Sequence, residues 1–141
     1  MRYLLFVAIA LSGCATSSLP SSVSPAPNHP ILGSWKFVLP KGDCSEVYTF
    51  RPDGTRSYSS NEESGESTYE VAATPSAAGF YKLIDTITKN NGKLDCSGGT
   101  IAVGHQVRIY VRMHSTGSKF IMCRDESFEN CFGPFVRVQE K

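Results

Sequence analysis

The sequence predicts an all-β fold: a small antiparallel up-and-down β-barrel of about eight strands. Three observations predict it. Short strand-like runs recur along residues 31–138 and are separated by turn-forming residues. Residues 105–113 alternate strictly between apolar and polar side chains. The same part of the sequence carries no helical period. A β-sandwich is the alternative, but the connections look short and sequential, which favours a closed barrel without edge strands.

Eight segments carry the strand pattern: residues 33–38, 46–50, 55–59, 67–73, 79–88, 105–113, 119–123 and 134–138. Asp53 and Gly54 supply turn chemistry between the second and third. In the sixth segment, residues 105–113, Val107 and Ile109 lie on the apolar face, while Arg108 and Tyr110 point to the other side. Residues 95–104 form a longer connection, which we interpret as either a crossing loop or a barrel mouth.

Two short motifs resemble bacterial lipocalin-like domains: Gly-x-Trp at residues 33–35 and Phe-x-x-Asp-Gly-Thr at residues 50–55. The resemblance implies a lipocalin-like β-barrel over residues 31–141. It also implies that Trp35 closes one barrel end and that a basic residue near the last strand, here Arg137, packs across its ring. Together with the aromatic-rich strands, it makes Trp35, Tyr48, Tyr69 and Arg137 candidate ligand contacts, although aromatic side chains can equally fill so small a barrel.

The N-terminus has the layout of an export signal, with Arg2 before an apolar run at residues 3–11. The run is too short for a stable bilayer-spanning helix. Leu-Ser-Gly-Cys at residues 11–14 resembles the bacterial lipobox. The resemblance implies that residues 1–13 are a signal peptide and that Cys14 becomes the acylated mature N-terminus. An ordinary secretory signal that contains a cysteine is the alternative. In lipoproteins of the enteric type, an Asp directly after the acylated cysteine retains the protein in the inner membrane. Ala15 occupies this position here, which implies the outer membrane.

Residues 14–30 are rich in Ser and Pro and contain no Lys, Arg, Asp or Glu. Such a composition cannot bury enough apolar surface to offset its ordering entropy. We therefore expect a lipidated flexible tether that lets the domain stand off the bilayer. His29, inside this segment, is expected to be solvated.

Four cysteines remain once Cys14 is assigned to lipid: Cys44, Cys96, Cys123 and Cys131. An even number in an oxidising compartment predicts two disulfides. Three connectivities are possible, and we favour Cys44–Cys96 with Cys123–Cys131, because the second pair flanks a short, mostly polar segment. A zinc site made of all four thiolates is the alternative, but the sequence has no C-x-x-C knuckle.

Composition and motifs argue against several classes of function. The formal net charge is +1 and no basic cluster is present, so nucleic acid is not an expected partner. The sequence contains no nucleophile elbow, phosphate-binding glycine loop, zinc-protease motif or EF-hand loop. His105 and His114 are nine residues apart on one predicted strand and therefore face opposite sides of the sheet, so they are not expected to share a metal ion. We therefore expect no catalytic residues, cofactor or metal.

One acidic residue and one acidic stretch are further candidates for functional sites. Asp85 falls among apolar residues of the fifth strand and is either a buried functional carboxylate or a break in the alternation near the strand end. Glu62, Glu63 and Glu66 form an acidic stretch, which could meet a cation or a basic partner but is expected to be a solvated loop.

Two functional hypotheses follow. In the first, the protein is an outer-membrane-anchored lipoprotein, expected to face the periplasm, whose barrel binds a small apolar or amphipathic envelope ligand. In the second, it is a non-enzymatic interaction protein: a subunit of an envelope assembly or an inhibitor of a periplasmic hydrolase.

Overall fold

The computed structural model describes residues 24–139. Eight antiparallel strands close into one barrel in the order β1 to β8, which confirms the predicted fold class. Their bounds are β1 Gly33–Val38, β2 Ser45–Phe50, β3 Thr55–Ser60, β4 Glu63–Val71, β5 Tyr81–Asn90, β6 Gln106–Met113, β7 Lys119–Cys123 and β8 Cys131–Arg137. The predicted signal peptide, Cys14 and the tether up to residue 23 lie outside the described residues. No helix within the described part is long and apolar enough to cross a bilayer.

The barrel closes because β1 pairs with both β2 and β8. Trp35 lies opposite Tyr48 on one side and opposite Arg137 on the other. Each remaining strand pairs with its neighbours in sequence, including β5 with β6. The connection that contains residues 95–104 therefore joins adjacent strands and is not a crossing loop.

Two strands begin three or more residues earlier than predicted. β4 starts at Glu63, because the β3–β4 turn consists only of Asn61 and Glu62, and Asn61 has a positive φ of 54°. The acidic stretch is therefore a hairpin turn and the first part of a strand, not a solvated loop. β8 starts at Cys131, which pairs with Cys123.

Aromatic side chains fill the larger, apolar part of the barrel interior. Trp35 contacts Phe120 with ring centroids 4.7 Å apart, and Phe120 stacks on Phe135 at 4.9 Å. Phe50 and Tyr69 meet edge to face at 5.0 Å. The alternation predicted for β6 is confirmed, since Ile109 and Val111 are buried in this core. Such close packing leaves this part of the barrel solid.

The barrel has two ends, which we call the Trp35 end and the mouth. The chain enters β1 at the Trp35 end, and the β2–β3, β4–β5 and β6–β7 connections lie at that same end because neighbouring strands run antiparallel. The mouth carries the β1–β2, β3–β4, β5–β6 and β7–β8 connections.

Residues 24–32 pack against the Trp35 end, so the last part of the expected tether belongs to the folded domain. His29 is only 4% exposed, and the prediction that it is solvated is wrong. Its Nε2 lies 3.1 Å from the Ala72 carbonyl oxygen, its Nδ1 accepts the Ile31 amide, and its ring meets Tyr81 edge to face. Tertiary hydrogen bonds and burial therefore offset the ordering entropy that composition alone suggested would dominate.

Arg137 closes the Trp35 end. Its guanidinium carbon lies 4.0 Å from the Trp35 ring centroid, as the resemblance implied. Nη1 donates to the Leu32 carbonyl and Nη2 to the Pro30 carbonyl. A Cβ on Gly33 would lie 2.8 Å from Arg137 Nη1, and Gly33 has a φ of +108°, so the first residue of the Gly-x-Trp motif must be glycine.

Candidate functional site

A buried ion pair separates the apolar core from the mouth. Arg56 points inward from β3, and its Nη2 lies 2.5 Å from Asp85 Oδ2 on β5. Ser67 on β4 links the two: its Oγ donates to Asp85 Oδ1 at 2.6 Å and accepts from Arg56 Nε at 3.0 Å. Asp85 does not break the alternation of β5, so that interpretation is wrong. Its side chain points into the barrel, as the alternation requires, and is buried.

Aromatic rings surround the Arg56 guanidinium. Its central carbon lies 4.6 Å from the Tyr48 ring centroid and 5.1 Å from that of Tyr58. Cation–π attraction of this kind strengthens when the cation is shielded from water. Among residues 24–139, Nε and Nη2 have hydrogen-bond acceptors whereas Nη1 has none. One face of the guanidinium fork is therefore free to receive an acceptor.

Glu46, Tyr48 and Ser60 form one wall of the mouth. The Tyr48 hydroxyl donates to Glu46 Oε2 at 2.6 Å, and Ser60 Oγ donates to Glu46 Oε1 at 3.0 Å. Burial, followed by the charge of Glu46, raises the pKa of Tyr48 far above its ordinary value. The Tyr48 hydroxyl consequently stays protonated and acts as a hydrogen-bond donor.

Glu63 lies next to this wall, because it pairs with Ser60 across β3 and β4, and it holds the β5–β6 connection. Its Oε1 accepts the Ile101 amide at 3.0 Å and the Asn90 side-chain amide at 2.6 Å. The Glu63 amide in turn donates to the Leu94 carbonyl. The connection therefore lies over the barrel opening, and the second of the two interpretations of residues 95–104, a barrel mouth, holds.

A disulfide also fixes the same connection. Cys44 and Cys96 are bonded, and the Cys96 amide donates to Ser60 Oγ at 3.0 Å. Cys123 and Cys131 form the second disulfide, so the favoured connectivity is confirmed. Next to Cys96, Asp95 Oδ1 accepts from Ser97 and Gly99. The hydrogen bond from Ser97 lowers the pKa of Asp95, which keeps this carboxylate ionised.

These walls enclose a half-open cavity of about 150 Å³. It is lined by Glu46, Tyr48, Arg56, Tyr58, Ser60, Glu63, Ile87, Asp95 and Ile101. Gly65 permits the approach of Tyr58, because a Cβ at this position would clash with the Tyr58 hydroxyl and with the Lys89 carbonyl. The arrangement offers carboxylates, a guanidinium donor, hydroxyl groups and two apolar walls, which suits recognition of a small molecule by hydrogen bonds and charge.

The four predicted ligand contacts do not come together in one pocket. Trp35 and Tyr69 are packed into the apolar core, and Arg137 stacks on Trp35 at the opposite end of the barrel. Only Tyr48 lines the mouth cavity. Their packing gives Trp35, Tyr69 and Arg137 structural roles in this structure.

Other predicted candidates lie outside the cavity. His105 and His114 are exposed. Glu66 is on β4, where it pairs with Lys89 at 2.9 Å and thereby has its pKa lowered. Glu63, from the same acidic stretch, is buried in the mouth.

Sequence reasoning did not assign Arg56, Ser60 or Glu46 to a site. For Arg56 the sequence did carry a signal. Arg56 and Tyr58 are two residues apart on β3 and therefore face the same side of the sheet, so a tyrosine that points into the barrel places the arginine inside as well. Glu46 and Ser60 gave no comparable signal, because their meeting depends on the β2–β3 register.

No family model, no curated protein and no solved structure matches this chain.

Proposed function

We propose that the protein is a non-enzymatic binding module of the bacterial cell envelope and that the mouth cavity is its ligand site. The observation that supports this is the convergence of Glu46, Arg56, Tyr58 and Glu63 on one half-open cavity. Ligand sites combine a concave surface with a few convergent polar groups in this way.

The size and lining of the cavity favour a small amphipathic ligand. A cavity of about 150 Å³ accommodates a molecule of roughly six to eight non-hydrogen atoms. Ile87 and Ile101 can contact its apolar part, while the carboxylates and Arg56 contact its polar part. A long apolar molecule is disfavoured because aromatic side chains already fill the remainder of the interior.

Attachment to the outer membrane through lipid on Cys14 is part of the proposal. The lipobox-like residues 11–14 and Ala15 support it. Two disulfides support export, because such bonds persist in oxidising compartments outside the cytoplasm.

The ligand site can be tested with a library of small fragments and the full-length ¹⁵N-labelled protein in detergent micelles. We expect binders to shift the backbone amide signals of Cys96 and Ile101. Ile101→Phe should fill the cavity and abolish these shifts. Val103→Phe is the matched control, since Val103 lies on the same connection and is 62% exposed. A screen in which no fragment moves the mouth signals contradicts the proposal.

The second candidate function, an interaction protein, is favoured by apolar side chains on the outside of the barrel. Phe128 is 51% exposed. Beside Phe128, a groove of about 290 Å³ is lined by residues that include Ile121 and Pro134. Exposed apolar groups near one another are typical of protein-binding surfaces.

Photo-crosslinking in intact cells tests whether the protein has this interaction role. A photoreactive residue at Phe128 should give one stoichiometric adduct if the groove holds a protein, whereas the same residue at the exposed Glu70 should give none. Equal adducts at both positions, or none at Phe128, would count against an interaction role.

A further inference from the structure

The lining of the mouth cavity carries an excess of negative charge. Glu46, Glu63 and Asp95 all face the cavity. In the part of the chain that the structure describes, the cationic side chain lining this cavity is Arg56, and Asp85 already neutralises it. A ligand that brings a positive charge would therefore lower the electrostatic free energy of the site, and partial burial would strengthen the interaction.

Two buried residues that line the mouth cavity, Glu63 and Arg56, each have one side-chain atom without a hydrogen-bond partner in the described part of the chain. Glu63 is 4% exposed, and its Oε1 accepts several donors, whereas Oε2 has none among residues 24–139. Arg56 is 7% exposed, and its Nη1 likewise has no acceptor among these residues. Within the same range, every fully enclosed side-chain nitrogen or oxygen has a partner. Both atoms must therefore border open space, and the cavity is the space that both residues line.

The geometry favours an organic cation over a metal ion. Within the described residues, no three His, Cys, Asp or Glu side chains are grouped so that they could hold a metal. The cavity also has room for several non-hydrogen atoms. Its acceptor and its donor belong to different strands, which suits a ligand with an ammonium group at one position and an oxygen at another.

We propose, on the basis of the proposed function, that the mouth cavity binds a small amino alcohol. Its ammonium group donates to Glu63 Oε2, and its oxygen accepts from Arg56 Nη1. The excess of carboxylates favours a net cationic amino alcohol over a zwitterionic amino acid, and it disfavours a simple carboxylate.

Three probes test this assignment: ethanolamine, glycine and acetate, each titrated into the full-length ¹⁵N-labelled protein in detergent micelles. We expect ethanolamine to give saturable shifts at Cys96 and Ile101, glycine to bind more weakly and acetate to give no shift there. Glu63→Gln preserves the side-chain shape and the acceptor for the loop, and it should weaken ethanolamine binding at least ~10-fold.

Glu70→Gln is the matched control, because it makes the same change on the exposed face of the same strand and should leave binding unchanged. Thermal unfolding establishes that each variant is folded. If Glu63→Gln does not fold, Asp95→Asn replaces it and should also weaken ethanolamine binding.

The amino-alcohol assignment is overturned if acetate saturates the mouth signals as readily as ethanolamine, or if ethanolamine binds the folded charge-removing variant as tightly as the parent. Binding of a neutral or anionic fragment at the mouth without ethanolamine binding would overturn the ligand class and leave the proposed function standing. Absence of any binder at the mouth would overturn both.

Discussion

Arg56 and Asp85 place opposite charges inside the barrel, 2.5 Å apart and shielded from water. Moving either charge out of water is costly, and the cost is offset only while the partner and Ser67 remain in place. The alternation of β5 made an inward Asp85 one of two interpretations, and the structure decides for it. Its partner could not be predicted, because the contact depends on the packing of three strands.

Replacing Asp85 alone should therefore be strongly destabilising. Asp85→Ala leaves the buried guanidinium without its counter-charge, and we expect the free energy of unfolding to fall by about 3–5 kcal/mol in urea denaturation. The double variant Arg56→Met with Asp85→Leu should recover most of this loss, because it removes both charges and refills the space. A loss below about 1 kcal/mol for Asp85→Ala would contradict the assigned role.

His29 makes stability depend on pH. Burial lowers its pKa below the ordinary value of 6.5, so folding favours the neutral ring. The stabilisation is fully present above the pKa of the unfolded state. It is lost as the pH falls through 6.5 toward the lower pKa of the folded state.

We therefore expect the free energy of unfolding to decrease between about pH 7.5 and about pH 5.5, and the decrease to be smaller in His29→Gln. Urea denaturation across this range measures both. His105→Gln provides the control, since His105 is exposed and its replacement should leave the slope unchanged. Identical slopes in the parent and His29→Gln would exclude this role for His29.

Among the elements, strands with a strict two-residue period were predictable in both position and phase. β6 is the clearest case, because its inner face is uniformly apolar. The start of β4 was not predictable, since Ser64, Gly65 and Glu66 have low strand propensity and are held by pairing with β3 and β5. The N-terminal segment before β1 was misjudged for the same reason: its order comes from contacts with Ala72, directly after β4, and with Tyr81 on β5.

The two disulfides constrain elements of different size. Cys44–Cys96 spans 52 residues and holds the β5–β6 connection, whereas Cys123–Cys131 spans 8 residues within one hairpin. On the chain-entropy relation, their removal costs about 4 and about 2.5 kcal/mol.

We expect the paired change Cys44→Ser with Cys96→Ser to lower the unfolding free energy more than Cys123→Ser with Cys131→Ser. It should also speed hydrogen exchange of the Ile101 amide, while the other pair leaves that amide protected. Denaturation together with exchange measured by NMR tests both statements. Equal loss of Ile101 protection in the two variants would show that the first disulfide does not fix the mouth.

For the whole molecule, the short and sequential connections favoured a closed barrel over a sandwich, and the short polar segment between Cys123 and Cys131 favoured the cysteine pairing that the structure shows. The mouth could not be predicted, because its residues come from four strands and one connection and meet only once the register of each hairpin is set. The distinction between a hollow and a filled interior likewise depends on packing, which the sequence pattern does not resolve.

Membrane attachment is a prediction at this scale. If Cys14 carries lipid, Cys14→Ser should abolish incorporation of a labelled fatty acid and move the protein from the membrane fraction to the soluble fraction. The reason is that several acyl chains anchor a protein stably. Ser18→Ala is the control and should change neither measurement. Unchanged labelling and fractionation of Cys14→Ser would disprove the anchor.

The chain enters the barrel beside Trp35, and the cavity opens at the opposite end. A six-residue strand is roughly 20 Å long, so about this height of protein separates the two. Any attachment made through the preceding residues would consequently join the domain at the Trp35 end and leave the opening at the end farthest from the point of attachment. Molecules diffusing past could then reach the opening without first approaching the lipid surface.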